Sequence, residues 1–419
     1  MNKLQNFIEK YIGRAAVKAS KNKYISTLAN GFMMVLPIIM IGSFASVFSG
    51  ISVEAYQNFI VNTGIKDVLS LIMRFTTEIN SIYLVMAFTY LYLKKRYQGQ
   101  ALCASLVSMG MFMILTPTVS IENTLYISFS WLGAKGMFMA ILIGLGNARL
   151  FEFCFDKGIC IKMPKGVPNF IDQMYKCLVP ALITLIASAL LAHFIPAEMG
   201  GVSGIIYTIL ALPLKALSGL VITRIILDVI VQMLWFFGIH GGNITSAVTG
   251  ALYTPGTLEN IANFAAGQPL TNMVTSGFTA IANAGAYTNI CICILCMISK
   301  KKEFSSFGKM AFIPTLFMVS EPLRFGLPTV LNFYFFIPLI INPIINDVIV
   351  WFLMVTGIIG YPRATYYQGS PFFFNSIFNL GVIPGLIVMA LLLVVDFIIV
   401  YPFFKMYEKQ GMTVSGDEE

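Results

Sequence analysis

Long apolar windows recur from one end of this chain to the other, and no polar block longer than a loop separates them. Val35 to Val47, Ala101 to Leu115, Met137 to Leu145, Leu178 to Phe194, Asn289 to Ile298, Phe333 to Ile359 and Gly381 to Phe404 each belong to a segment long enough, or nearly so, to cross a hydrocarbon core about 30 Å thick. Apolar residues make up 57% of the chain and charged residues 11%, against about half and about a quarter in an average soluble protein. The expectation is one all-α integral membrane domain with many spans.

Lysine and arginine gather between the apolar segments: at the N-terminus, at Lys94, Lys95 and Arg96, from Lys157 to Lys165, at Lys300, Lys301, Lys302 and Lys309, and at Lys405 and Lys409. Positively charged loops stay in the cytoplasm, so each interval between clusters holds an even number of crossings and both termini are inside. Intervals of about two, two, four and two crossings give about ten transmembrane helices, with short apolar pieces left over as re-entrant hairpins. A net charge of +8 would suggest nucleic acid for a soluble protein, but here the charge flanks membrane segments and no nucleic-acid partner is expected. Residues 1–25 carry Phe7, Ile8, Tyr11, Ile12 and Ala15 at helical spacing, with Lys10, Arg14, Lys18, Lys21 and Lys23 free to meet lipid phosphates. They read as an amphipathic helix on the membrane surface or as a basic leader without structure, and not as a cleavable signal peptide.

Residues 26–155 read as paired scaffold helices suited to dimerisation, and 156–176 as a cytoplasmic linker rich in Lys and Pro. Residues 177–410 read as the transport region and 411–419 as a polar tail. Seven cysteines are present; Cys291, Cys293 and Cys296 sit in a greasy helix without nearby His or acidic ligands, which favours packing over metal. In the second half, Gly238 to Ala262, Asn272 to Thr288 and Ser320 to Asn332 place polar, Gly and Pro residues at membrane depth. Irregular backbone exists there only when buried in protein or lining a cavity, so these stretches are the candidate substrate region.

Two ionisable residues stand out. His240 ends an apolar run in WFFGIHGGN (Trp235 to Asn243), where Gly241 and Gly242 let backbone approach a ligand. His193, by contrast, is explained by its position at a helix end. Glu321 lies in SEPLRFGLPTVLN (Ser320 to Asn332), where Pro322 and Pro328 oppose a regular helix. A buried carboxylate there is repaid by sugar hydroxyls, by His240, or by a simple ion pair with Arg324. An imidazole and a carboxylate on one cavity orient hydroxyls, and one of them can take the proton of a hydroxyl that attacks a phosphoryl donor. Trp235 can offer a face to a pyranose or serve only as packing.

With these residues in view, WFFGIHGGN and SEPLRFGLPTVLNFYFFIP closely resemble the signatures of the lactose/cellobiose/diacetylchitobiose family of phosphotransferase-system IIC components. Tyr253 to Ala262, the early Asn30 with Pro37, Leu115 to Pro117 and Lys162 to Pro168 fall in the same family order, so the resemblance spans nearly the whole chain. It implies the IIC architecture of the glucose superfamily: a homodimer of ten spans plus re-entrant hairpins in the bacterial cytoplasmic membrane, with a sugar-holding second half that moves against the first. It implies uptake of a disaccharide or related β-glycoside, with His240 and Glu321 contacting the sugar and Glu321 near the hydroxyl to be phosphorylated. The phosphoryl group would come from a cysteine of a separate IIB protein, and no cofactor is implied in this chain.

Four departures bear on substrate. Ser320 stands where the family usually has Asn, Arg324 where it has an aliphatic residue, and Phe333 where it has Pro. In Tyr361 to Tyr367, Arg363 stands in place of a stacking indole. A guanidinium forks to carboxylate or phosphate, which makes an acidic or already phosphorylated saccharide conceivable, while Tyr366 or Tyr367 can supply a platform instead. The candidate substrate-binding set is therefore His240, Glu321, Trp235, Gly241, Asn243, Ser320, Arg324 and Arg363, with His240 and Glu321 also catalytic. The competing functions are a proton-coupled sugar permease and a degenerate IIC homologue acting as a sensor.

Overall fold

The computed structural model describes residues 22–50, 54–122, 124–164, 166–195, 200–237, 240–327, 329, 332–367 and 369–410, most of them helical. The segment expected over residues 1–25 lies outside the described residues up to 21, and the tail at 411–419 lies outside them altogether. Among the described residues, eight helices are long and apolar enough to cross a membrane: 23–49, 98–115, 134–156, 169–194, 201–218, 276–297, 333–355 and 382–409. A further apolar helix, Asn80–Leu93, is shorter. The chain is a multi-pass, all-α membrane protein.

Two compact units divide the chain: residues 19–217 with 246–267, and residues 218–245 with 268 onward. The boundaries between these units fall after residues 217, 245 and 267. The helix Asn169–Phe194 packs within the first unit; at Gly99 an added Cβ would meet Gln173 Oε1 at 1.9 Å. Residues 169–176, within the segment 156–176, are the first turns of that helix, which starts directly after Pro168.

In the first unit, α1 (Lys23–Ser49) starts where the Asn22 side chain accepts from the backbone of Tyr24 and Ile25. Next come α2 (Glu54–Asn62), α3 (Ile65–Arg74), α4 (Asn80–Leu93) and α5 (Gln98–Leu115). A hairpin follows, of β1 (Thr118–Ile121) and β2 (Thr124–Ile127), antiparallel with Val119 opposite Tyr126. It was not expected in an all-α chain. Its β-branched residues and a turn that opens at Glu122 with φ +50° are the local cause. After the single turn α6 (Phe129–Leu132) come α7 (Met137–Asp156), α8 (Asn169–Phe194), α9 (Gly201–Ile206) and α10 (Leu212–Ser218).

Phe32, Val35 and Ile39 of α1 enter one core with Leu84 and Phe88 of α4, Phe112 of α5 and Ile143 of α7. Gly31 allows this approach, since a Cβ there would lie 2.3 Å from the Phe88 ring. Glu152 of α7 ties three helices together, accepting from Lys23 Nζ at 2.6 Å, Tyr92 OH at 2.9 Å and Arg149 Nη1 at 2.9 Å.

The second unit holds α11 (Val221–Phe236) and, after α12 (Gly241–Ala265) crosses the boundary, α13 (Ser276–Ala282), α14 (Ala284–Met297), α15 (Lys302–Leu316), α16 (Glu321–Gly326), α17 (Phe333–Val355), α18 (Phe372–Leu380) and α19 (Val382–Gln410). Of the three stretches expected to be irregular, Gly238 to Ala262 is helical from Gly241. Gly250 is there for close packing, since a Cβ would lie 2.5 Å from Phe32. The other two are interrupted as expected, by a helix break at Asn283 and by the short α16 with non-helical chain around it. Cys291, Cys293 and Cys296 lie in an apolar core with Phe304, Leu323 and Phe335.

Gly308 of α15 faces α14 so closely that a Cβ would sit 2.7 Å from the backbone nitrogen of Met297. Gly308→Val is therefore expected to cost about 1–3 kcal/mol through overpacking. Gly146→Val, whose Cβ meets nothing within 4 Å, should leave stability unchanged. Thermal unfolding of both variants in detergent checks the pair.

Candidate functional site

Trp235 is the second-last residue of α11, and its indole is 7% exposed. The His240 imidazole lies against it with ring centroids 4.4 Å apart and planes tilted by 51°. The guanidinium carbon of Arg324, on α16, sits 4.6 Å from the indole centroid, and Arg324 Nη2 donates to Gln232 Oε1 at 3.1 Å. Gln232 and Trp235 are three residues apart and share one face of α11. A cation on an indole in so dry a setting is a strong contact, since water does not compete for the charge. The structure thus brings together three of the residues expected from sequence and adds Gln232.

Glycine makes this possible. A Cβ on Gly241 would lie 2.3 Å from the carbonyl oxygen of Val231, so only hydrogen fits between the start of α12 and the body of α11. On Gly242 a Cβ would meet His240 Cε1 at an ordinary 3.5 Å.

Ser320 and Glu321 start α16. The Ser320 carbonyl accepts from Arg324 N at 2.9 Å, and the Arg324 carbonyl accepts from both N and Oγ1 of Thr329, at 3.3 and 3.2 Å. The side chains of Glu321 and Asn243 lie outside the described part of the chain. Two residues earlier Met318 adopts φ +63°, a left-handed conformation that is uncommon for a residue with a side chain. Its sulfur is approached by Asn283 Nδ2 at 3.2 Å, Asn375 Nδ2 at 3.4 Å and the Tyr366 hydroxyl at 3.5 Å. These groups fix the turn that delivers Ser320 and Glu321.

Arg363 is placed differently from the other candidates. Its Nε donates to the Phe378 carbonyl at 3.0 Å, so it serves the last turn of α18. Its segment is not helical over residues 361–367 and 369–371, and it leans on two asparagines of α18. Asn379 Oδ1 accepts from Ala364 N at 3.1 Å, and Asn375 Oδ1 accepts from Tyr367 N at 2.9 Å. Buried side-chain amides here replace the hydrogen bonds that water or helix would supply. The stacking role offered to Tyr366 or Tyr367 meets one constraint: Tyr367 is fully buried.

Sequence reasoning missed the charges inside apolar runs. Arg224 and Asp228 form an ion pair one turn apart on α11, and Asp347 of α17, 1% exposed, faces both. The signal was present: an ionisable residue within a membrane helix is itself a marker of function. Among the described residues, no group of three His, Cys, Asp or Glu is placed to hold a metal.

A family model described as phosphotransferase system, EIIC matches residues 29–343. The chain belongs to this EIIC family. Over 442 aligned positions the EIIC is 28% identical to the lichenan permease IIC component of Bacillus subtilis (strain 168), covering 100% of this chain and 97% of that one. It is 25% identical to the cellobiose-specific EIIC component of Geobacillus stearothermophilus, with 98% and 95% covered. To the lactose-specific EIICB component of Streptococcus mutans it is 29% identical, with 94% of this chain and 70% of that one covered. Its fold is that of the transporter ChbC, the IIC component from the N,N'-diacetylchitobiose-specific phosphotransferase system, with TM-score 0.90 at 24% identity over 99% of this chain and 100% of the other. The EIIC is thus a sugar-transporting membrane subunit of the phosphotransferase system.

The glycine pair yields a sharp comparison. Gly241→Ala must push α12 off α11 and is expected to weaken sugar binding by at least about tenfold through misplaced His240. Gly242→Ala should change it by less than about twofold, having only ordinary contacts to make. Isothermal titration of the purified variants with substrate measures both.

Proposed function

We propose that this EIIC takes up a β-linked disaccharide or related β-glycoside and presents it for phosphorylation at the cytoplasmic face. The observation that carries the proposal is the Trp235, His240 and Arg324 cluster, built where a glycine-flanked end of α11 meets the turn bearing Glu321. The sugar class is supported by relatives named for lichenan, oligo-β-mannoside and cellobiose. His240 and Glu321 hold the hydroxyls, Asn243 and Ser320 add hydrogen-bonding groups beside them, and the backbone at Gly241 lets the sugar approach. Trp235 positions both the imidazole and the Arg324 guanidinium, each in contact with its indole. Arg363 shapes the 361–371 segment that closes on the sugar.

The phosphoryl donor is the phosphocysteine of a IIB protein. The sugar hydroxyl oxygen forms a bond to phosphorus as the bond from phosphorus to sulfur breaks. The thiolate leaves on IIB, and Glu321 takes the hydroxyl proton. No cofactor of this chain enters that balance. The protein works as a homodimer in the bacterial cytoplasmic membrane with both termini in the cytoplasm and its basic loops against anionic lipid.

Vesicles containing the EIIC, loaded with IIB, the general phosphotransfer proteins and phosphoenolpyruvate, test this directly. Radiolabelled cellobiose or another β-disaccharide should appear inside as sugar phosphate, and Glu321→Gln and His240→Ala should each lower the rate by at least about a hundredfold. Accumulation of unmodified sugar driven by a proton gradient would replace the proposal with a symporter.

A further inference from the structure

Away from the sugar cluster, four polar side chains meet between three helices of the second unit. Thr288 of α14 donates to Asp396 of α19 (Oγ1 to Oδ2, 2.8 Å) and accepts from Asn342 of α17 (Nδ2 to Oγ1, 2.9 Å). Asn346, one turn further along α17, donates to the Ala282 carbonyl at 3.3 Å, and both asparagines lie beside the Asp396 carboxyl. None of the four is more than 5% exposed, and Asn342, Asn346 and Asp396 are 0% exposed.

The donors of this cluster are used, whereas Asn342 Oδ1, Asn346 Oδ1 and Asp396 Oδ1 are buried with no hydrogen-bond partner. The deficit is one-sided, consisting of acceptors only. Buried polar groups are expected to be satisfied, and an isolated carboxylate in a membrane interior is costly. A cation accepted by oxygen answers both facts.

We propose that Thr288, Asn342, Asn346 and Asp396 form a binding site for a small monovalent cation of the sodium class. The ligands are hard oxygens, which suit an alkali ion and not a thiophilic metal. The set holds one carboxylate, so a single positive charge leaves the site neutral, whereas a divalent ion would leave an excess charge among apolar helices. Asp347, though next to Asn346 in sequence, faces Arg224 and Asp228 and stands outside the set. The bound ion pins α14, α17 and α19 together, and through the Ala282 carbonyl it holds the end of α13 at the break before Asn283.

Equilibrium binding of 22Na+ to the purified full-length protein in choline chloride buffer tests the site, with melting temperature in sodium and in choline chloride as a second measurement. Saturable binding displaced by unlabelled sodium chloride, and a higher melting temperature in sodium, are expected. Asp396→Asn and Thr288→Val should each weaken binding by at least about tenfold, with Thr288→Ser retaining it. Absence of saturable binding to the unaltered protein would overturn the proposal, whatever the variants do. So would stability that follows pH but not sodium, which would put a proton on Asp396, and so would binding that Asp396→Asn leaves unchanged.

Discussion

Lipid offers no hydrogen bonds, so each polar group at membrane depth must find its partner within the protein. The second unit is organised around that requirement. Where the chain leaves helical geometry, at residues 361–367, Asn375 and Asn379 bond backbone groups. Where charges are buried they are paired across one helical turn, as Arg224 and Asp228 are, or embedded among amides and hydroxyls, as Asp396 is. The cost of the polar interior that results is offset by these internal hydrogen bonds and by the Arg224 to Asp228 ion pair.

The cluster of Trp235, His240 and Arg324 shows how closely packed backbone sets a group of side chains. Gly241 lets α12 begin against the Val231 carbonyl, which sets His240 beside Trp235. Arg324 arrives from α16 and brings its guanidinium to the same indole. Met318, held in a left-handed conformation and surrounded by Asn283, Asn375 and Tyr366, orients the turn from which Glu321 and Arg324 emerge. Functional groups therefore sit on helix ends and fixed turns, where a small shift of one helix moves them together.

Much of this was legible in the sequence because hydrophobic runs and glycine-flanked ionisable residues are local signals. The apolar windows predicted an all-α membrane protein, and the polar, Gly and Pro residues of Asn272 to Thr288 and Ser320 to Asn332 marked the stretches that the structure interrupts at Asn283 and around α16. What escaped were features decided by packing between distant segments. Asp347 and Asp396 each lie within a window read as simply apolar, and their meaning depends on Asp228, Thr288, Asn342 and Asn346 arriving from other parts of the chain or other turns. The affiliation of residues 246–267 was hidden for the same reason, since Gly250 reads as a flexible position until Phe32 is placed against it. Arg363 looked like a ligand-facing charge, whereas its described hydrogen bond is to the end of α18.

The central claim is that sugar binds at the Trp235, His240 and Arg324 cluster, and Trp235 itself can report on it. In a protein carrying Trp131→Phe and Trp351→Phe, Trp235 is the single tryptophan, and its emission can be followed during titration with cellobiose and related β-disaccharides. A saturable change in emission that is lost in His240→Ala is the result the account predicts. Emission that stays constant while the same protein transports the sugar would contradict it.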